Sequence, residues 1–283
     1  METMSQTSAP PILFDQEALA RNSARARKMD SRHTFLKAEI ADRLYERLQE
    51  VNRDFQYRAD LGGSFGPYLP AGERTKYTSL AQYTSDLQTP PSCYDLIVAN
   101  LGMHWVNDLP GLLVQIRSAL KPDGLFIASL FGGQTLYELR HAFLTAEAEI
   151  TGGANTRVIP FADVKDLGSL LQRASFALPV TDVDTLTLTY AHPINLMQEL
   201  RGMGEANSLL DRSRTFLRRD VLMRACEIYN DQFGSADGRV TATFEVMYMT
   251  GWHPHESQQK PLKRGSGEVN LADALQARKP PQK

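Results

Sequence analysis

The stretch Tyr94–Pro110 combines a short buried strand, a polar loop and a capped helix start, and it constrains the fold more than any other part of the chain. Leu96–Ala99 is an apolar run too short for a helix, which is typical of a strand buried on both faces of a parallel sheet. Asn107 or Asp108 can cap the helix that follows, and Pro110 lies in its first turn, where no backbone donor is needed. This order predicts an open α/β sheet.

The loop between this strand and helix carries Gly102, His104 and Trp105. Ligands of open α/β sheets bind in the crevice outside the carboxyl ends of the strands, where this loop is expected to lie. His104 and Trp105, one of the two tryptophans in the chain, are therefore the candidate catalytic residues. The alternative is that Trp105 only covers the sheet edge and that His104 faces water.

A glycine-rich turn, Asp60–Gly66, follows a short predicted strand. Its glycines allow the backbone to turn tightly and to approach a ligand, and Asp60 could hold the ammonium group of that ligand. The spacing differs from the dinucleotide pattern G-x-G-x-x-G, so the turn does not indicate NAD. A glycine-rich turn without a ligand would have the same sequence.

The segment Pro67–Tyr94 is shorter than one βαβ unit, which takes about 30 residues or more. We predict a single strand in it, near Arg74–Ala81, so that the fold lacks one βα unit. Asp86 lies about 20 residues past the glycine turn, where an acid that contacts ribose or adenine is expected. Its neighbours Gln88–Pro91 favour a loop, and a solvated loop aspartate is the alternative.

The second half of the chain continues the strand–helix pattern. A strand over Leu125–Leu130 leads into Gly132 and Gly133, a second crevice position, and Thr135 with Glu138 has the pattern of a capping box for a helix. Apolar residues then alternate in two segments, 186–190 and 240–248, which predicts an antiparallel strand pair at the end of the sheet.

Composition excludes several classes of function. A net charge of −2 gives no reason to expect nucleic acid as a partner, and no apolar run reaches the length of about 20 residues that a membrane span needs. Cys93 and Cys226 have no metal-site spacing and suit a reducing compartment. We divide the chain into a disordered tail with an amphipathic helix (residues 1–54, the helix over Asp30–Val51), an α/β domain (55–252) and a C-terminal extension (253–283).

Several motifs together carry a family resemblance. The turn after Asp60, the strand at Tyr94 and the turn Lys121–Gly124 resemble the motifs of class I S-adenosylmethionine (SAM) methyltransferases, which have a Rossmann-like fold. A more specific set resembles the respiratory complex I assembly factor with a methyltransferase fold; it consists of His104–Pro110, Leu120–Gly124, Phe131–Arg140, Met203–Asn207 and Gly251–Gln258.

That family is regarded as hydroxylating an arginine on the iron–sulfur subunit of complex I, which the resemblance makes the expected partner here. The resemblance also implies SAM as cofactor, bound by Asp60, Gly62, Ser64, Gly66, Asp86, Asn100, Leu101 and Gly102. This chain departs from the pattern at Ser64, which replaces a glycine, and in the short segment before Tyr94, which lacks the strand whose terminal acid would hold the ribose.

Two other functions stay open: a SAM-dependent methyltransferase for a small or carrier-bound carboxylate, and an assembly chaperone without catalysis. We predict no metal site; His253, His255 and Glu256, together with His104, are the residues of the right type if one exists. The expected location is the cytoplasm, or the mitochondrial matrix in a eukaryote. Peripheral attachment to the inner face of the membrane is an alternative.

Overall fold

The computed structural model describes residues 11–29, 31–69, 76–80 and 86–259. Its helices and strands, in chain order, are α1 (Gln16–Ala26), α2 (Phe35–Gln49), β1 (Tyr57–Leu61), β2 (Lys76–Leu80), β3 (Tyr94–Asn100), α3 (Leu109–Ala119), β4 (Leu120–Phe131), α4 (Tyr137–Thr151), α5 (Val164–Arg173), β5 (Ala177–Tyr190), α6 (Pro193–Met203), α7 (Arg219–Phe233) and β6 (Val240–Trp252). Most of the predicted tail and of the C-terminal extension lies outside the described residues.

The strands form one sheet in the order β2-β1-β3-β4-β6-β5. Neighbours among β1–β4 are parallel, whereas β6 runs antiparallel to both β4 and β5. The predicted fold class, a mainly parallel α/β sheet with an antiparallel C-terminal pair, is confirmed. Between β1 and β2 the described residues form only a 3-10 turn, Gly66–Tyr68, which agrees with the predicted lack of one βα unit.

Helices cover the sheet on both faces because its strands are apolar on both sides. Alternate residues of β3 point to opposite layers: Leu96 and Val98 pack toward α2, α4 and α7, while Ile97 and Ala99 pack toward α3 and α5. All four are fully buried. The result is a three-layer domain in which α2 shares one core with the sheet.

Helix α2 follows the predicted stripe, but it begins at Phe35, after a 3-10 turn, instead of at Asp30. Leu36, Ile40 and Leu44 are almost completely buried, as their spacing of four residues requires. The prediction missed α1. Its buried side chains are only Ala18, Leu19 and Asn22, too few to form a recognisable stripe.

The two candidate cap residues before α3 have separate roles. Asp108 caps the helix, since its Oδ1 accepts a hydrogen bond from Gly111 N at 2.9 Å. Asn107 holds the N-terminal segment instead: its Oδ1 accepts from Leu13 N (2.7 Å) and Phe14 N (2.8 Å), and its Nδ2 donates to Phe14 O (3.2 Å). The segment before α1 is thus tied across the loop that carries His104.

The predicted capping box at Thr135 and Glu138 is wrong, although the helix begins close to it, at Tyr137. Thr135 exchanges hydrogen bonds with the backbone of Glu245 on β6, and Glu138 accepts one from the Thr243 hydroxyl. Both side chains are therefore used to fasten α4 to the sheet. Tertiary contacts replace the local cap that the sequence pattern suggests.

Replacement of Asn107 by alanine should release the N-terminal segment. The variant loses three hydrogen bonds to Leu13 and Phe14, each with a net contribution of about 1 kcal/mol, so we expect a loss of about 1–3 kcal/mol in the free energy of unfolding. Amide exchange at Leu13 and Phe14, followed by NMR or mass spectrometry, should accelerate more than exchange in α3. Asp108→Asn is the matched control, because asparagine also caps helices. Unchanged exchange at Leu13 and Phe14 would contradict this role of Asn107.

Candidate functional site

Three loops meet at the carboxyl edge of the parallel strands. The pairing of β1 with β3 and of β3 with β4 places the ends of these strands side by side. The Ser64 hydroxyl, in the loop after β1, donates to Asn100 O at 3.3 Å, and the His104 ring lies 5.1 Å from the Phe131 ring at the end of β4. The structure therefore brings the three predicted turns to one edge.

The glycine turn after β1 is formed, and Asp60 holds it in place. Gly62 has a φ of 95°, a conformation that side-chain-bearing residues rarely adopt. The buried Asp60 carboxylate accepts a hydrogen bond from Phe65 N across the turn, and the fully buried Phe65 ring stacks on Tyr68 at 4.9 Å. Gly66 is half-buried. The acid that could hold a ligand's ammonium group thus also stabilises the turn from inside.

The polar groups at the end of β3 are bound within the protein. Asn100 Nδ2 donates to Lys37 O at 3.1 Å, and its Oδ1 accepts from the Ser129 hydroxyl at 2.9 Å. Leu101 N donates to Ser129 O at 3.1 Å. Leu101 (φ 58°) and Gly102 (φ 100°) are both left-handed, and they turn the chain into the loop that carries His104. The first turn of α2, through Lys37, covers this part of the edge.

Asp86, the predicted contact to ribose or adenine, lies in the loop before β3. Its side chain is exposed in the loop before β3, where Gln88 N donates to it at 3.3 Å. No other Asp or Glu occurs in the sequence between Glu73 and Asp86, so β2 has no acid at its carboxyl end. The described residues keep the glycine turn of a SAM site, whereas the carboxyl end of β2 carries no acid to hold the ribose of that cofactor.

A buried carboxylate organises the other half of the edge. Glu205 Oε2 accepts from Trp105 Nε1 at 2.7 Å and lies 3.1 Å from His104 Nε2, while Oε1 lies 2.9 Å from Lys37 Nζ. The side chains of His104 and Glu205 are only 3% and 5% exposed. Both candidate catalytic residues are therefore bonded to one acid that follows α6.

The ionised Glu205 carboxylate selects the tautomer of a neutral His104 ring. Burial raises the pKa of Glu205, but the positive charge of Lys37 and the hydrogen bond from His104 outweigh burial and hold that pKa well below its ordinary value. An ionised carboxylate only accepts hydrogen bonds, so His104 Nε2 must carry the proton. In the neutral ring Nδ1 is then a bare acceptor, and no described residue forms a hydrogen bond with this buried atom.

Local structure explains how these side chains reach each other. α6 ends in a Schellman turn: Gly204 is left-handed (φ 85°) and Glu205 N donates to Leu200 O at 2.9 Å, which turns the Glu205 side chain back toward the sheet. Trp105 is held from its other side by the Phe14 ring, an edge-to-face pair with centroids 5.3 Å apart. Trp105 thus packs in the core and also donates to the cluster.

An apolar cavity of about 360 Å³ adjoins the cluster. It lies between α4, α6 and the segment 157–161, and Trp105, Phe131 and Glu205 form part of its wall. Cavities of this size are typical of small-molecule sites. The predicted crevice is therefore open on the side of β4.

The candidate metal ligands do not join this site. His253, His255 and Glu256 follow β6, whose end pairs with the beginning of β4, so they lie at the opposite edge of the sheet from His104. His253 N donates to Gly124 O at 2.8 Å there. In the described part of the chain, no three His, Cys, Asp or Glu side chains are grouped so that they could hold a metal ion.

Sequence analysis missed Lys37 and Glu205 as site residues. Glu205 lies in one of the quoted motifs and directly follows a glycine that ends a helix, a position from which a side chain can turn back into the fold. Lys37 gave no signal, because a lysine off the apolar stripe of a helix is normally solvated. Only packing brings these two residues to His104.

Comparisons with known proteins agree with this fold. A family profile described as a methyltransferase domain matches residues 20–179. The arginine-hydroxylase NDUFAF5, mitochondrial, of Danio rerio is 38% identical over 268 residues, covering 86% of this chain and 83% of that protein. The Homo sapiens protein of the same name is 36% identical, covering 92% and 83%. A malonyl-[acyl-carrier protein] O-methyltransferase of Halorhodospira halophila is 32% identical, covering 83% and 86%.

The similarity to the NDUFAF5 proteins extends over most of both chains. The sheet order and the family profile give the broader class. The chain therefore belongs to the methyltransferase domain family and, within it, to the family of the arginine-hydroxylase NDUFAF5 proteins.

Proposed function

We propose that this protein is an assembly factor of respiratory complex I that hydroxylates an arginine of the iron–sulfur subunit. The similarity to arginine hydroxylases over most of the chain supports this proposal. The structural observation that carries it is the bare Nδ1 of His104, a buried acceptor without a donor. A guanidinium has five N–H donors and no acceptor, so it complements such an atom.

In this mechanism His104 receives a hydrogen bond from the substrate guanidinium and Glu205 fixes the ring that accepts it. Glu205 is a positioning residue, because it bonds Nε2 and leaves Nδ1 free to accept. Phe161, whose ring lies 5.7 Å from His104 in a segment without helix or strand, covers the ring and would have to move for the substrate to enter. Lys37 keeps Glu205 ionised.

The oxygen chemistry needs reactants besides these side chains. Insertion of one oxygen atom of dioxygen into a carbon–hydrogen bond takes up two electrons and two protons and releases water, so a separate reductant must supply the electrons. We assign no step of the hydroxylation to SAM. The role of this chain is to bind the arginine, orient it and exclude water from it.

The proposed partner, the iron–sulfur subunit of complex I, determines the compartment in which we propose that this protein acts. The relatives are named as mitochondrial proteins, and complex I lies in an energy-converting membrane, so we assign the protein to the compartment facing the iron–sulfur subunit: the mitochondrial matrix, or the cytoplasm in a bacterium. Among the described residues, no helix has both the length and the apolar character needed to cross a membrane. The net charge of −2 gives no reason to propose nucleic acid as a partner.

A second candidate is a SAM-dependent methyltransferase for a carrier-bound carboxylate. The retained glycine turn at Gly62 and the similarity to malonyl-[acyl-carrier protein] O-methyltransferases favour it. An assembly chaperone without catalysis is the third, and it would need the fold but not the His104–Glu205 pair. The three candidate functions predict different changes in the mass of the iron–sulfur subunit.

Mass spectrometry of the iron–sulfur subunit, from cells with and without this gene, separates the three functions. We expect one arginine to gain the mass of one oxygen atom when the gene is present, and His104→Ala to abolish the gain because the acceptor for the guanidinium is lost. His255→Ala is the control, since this exposed residue lies at the opposite edge. A gain of one methylene group would support the methyltransferase. An unchanged mass, with complex I assembly still dependent on the protein, would support the chaperone.

Glu205→Gln should destabilise the protein in a pH-dependent way. The substitution leaves the Lys37 ammonium without its buried partner, and the loss of one member of a buried pair costs about 3–5 kcal/mol. Because the pKa of Glu205 is lowered by folding from an ordinary value of 4.5, its contribution is full above pH 4.5 and declines as the pH falls further. Denaturant unfolding at several pH values should show the difference from wild type shrinking below that pH.

The matched control for this prediction is Glu227→Gln, an acid that is 60% exposed and paired with Arg224 on the surface. We expect it to change the free energy of unfolding by no more than about 0.5 kcal/mol at any of these pH values. Equal effects of the two substitutions would mean that the Glu205 cluster does not stabilise the fold. A stable Glu205→Gln protein that still hydroxylates arginine would remove Glu205 as a positioning residue.

A further inference from the structure

The cavity beside the Glu205 cluster has an apolar interior. Phe131 closes one end at the sheet, Leu139 and Phe143 of α4 form one wall, and Leu200 of α6 together with Phe161 forms the other. Most of the remaining lining is aliphatic and aromatic, and its polar members are Thr135, Asn207, Glu205 and three arginines. An interior of this kind favours a chain or ring of carbon atoms over a polar group.

Positive charge without a matching acid lies at one side of this cavity. Arg25 of α1 and Arg201 of α6 both line it, and no ion pair joins either guanidinium to a carboxylate in the part of the chain that is described. Arg25 donates only to the neutral Asn22 side chain, and its Nε is buried without a partner. Burial and the like charge of Arg201 lower the pKa of Arg25.

The other charged residues of the lining do not compensate these two cations. Arg157 is bound by Glu147, at 2.6 Å from its Nη2 to Glu147 Oε1. Glu205 is already occupied by Lys37, His104 and Trp105. Arg25 is partly buried and Arg201 is exposed, so the guanidinium of Arg25 loses hydration beside a charge of the same sign. An anion near both groups would offset this cost.

We infer that this cavity binds an amphipathic anion, with its apolar chain among Phe131, Leu139 and Phe143 and its anionic head group on Arg25 and Arg201. Guanidinium groups bind carboxylate and phosphate oxygens with paired hydrogen bonds, so both head groups have the right chemistry. The same positive charge would repel the guanidinium of a substrate arginine. This ligand is therefore separate from the arginine proposed to meet His104.

Trp105 offers a direct signal for occupancy, because it lines the cavity and is one of only two tryptophans. The other, Trp252, is at the opposite edge of the sheet, and a Trp252→Phe background leaves Trp105 as the sole emitter. We would titrate this protein with decanoate, decyl phosphate, decanol and decylammonium. We expect saturable changes in Trp105 emission with decanoate or decyl phosphate, and no such changes with decanol or decylammonium. The anion that binds more tightly identifies the preferred head group.

Substitutions in the cavity wall test where the head group and the apolar chain of the ligand bind. Arg25→Gln combined with Arg201→Gln should weaken binding of the anion by at least about tenfold, since charge-assisted hydrogen bonds are lost. Arg173→Gln, an exposed arginine on α5, is the matched control and should bind like wild type. Met197→Phe, which places a larger ring at the cavity wall, should block binding without lowering the thermal unfolding midpoint.

Three results would overturn the inference. The first is the absence of saturable binding by either anion, and the second is equal binding of decanol, which would remove the head-group site. The third is unchanged binding in the double arginine variant while its thermal unfolding midpoint stays that of wild type. None of these results depends on arginine hydroxylation, because the readout is ligand binding by the purified full chain.

Discussion

The ionised carboxylate of Glu205 is the interaction on which the arrangement of this site depends. It joins three parts of the chain that are far apart in sequence: the first turn of α2 through Lys37, the loop after β3 through His104 and Trp105, and the end of α6 that carries Glu205 itself. A buried acid is unfavourable alone, and it is stable here because each of its oxygens faces a donor or a cation. The same contacts that stabilise it determine which nitrogen of His104 accepts.

The N-terminal segment is part of this site, not an appendage to the sheet. Asn107 binds the backbone of Leu13 and Phe14, and the Phe14 ring packs on the Trp105 indole that donates to Glu205. Asp15, next in the chain, pairs with Arg212 at 2.8 Å. The segment and α1 therefore hold the cluster from the side opposite the sheet, and α1 also carries Arg25 to the cavity.

Much of the fold followed from local patterns, whereas the site did not. The run Leu96–Ala99 and the stripe from Leu36 to Leu48 predicted their elements because burial on both faces of a sheet, or on one side of a helix, dictates the order of residues. The sequence alone does not show whether Asn107 or Asp108 caps α3, because asparagine and aspartate both cap helices. The two residues differ only in that Asn107 binds the N-terminal segment. Glu205 lies 101 residues from His104, and no local pattern records a contact over that separation.

The two halves of the carboxyl edge differ in how far their polar groups are already bound within the protein. Beside β1 and β3, the amide of Asn100 and the backbone of Leu101 are bound to Lys37 and Ser129, so a ligand would have to displace contacts that already exist. Beside β4, a cavity is open, and within the described ranges no carboxylate pairs with the guanidinium groups of Arg25 and Arg201. A ligand gains most where polar groups are unsatisfied and apolar surface is still exposed, which is why we propose the anion site in the second half.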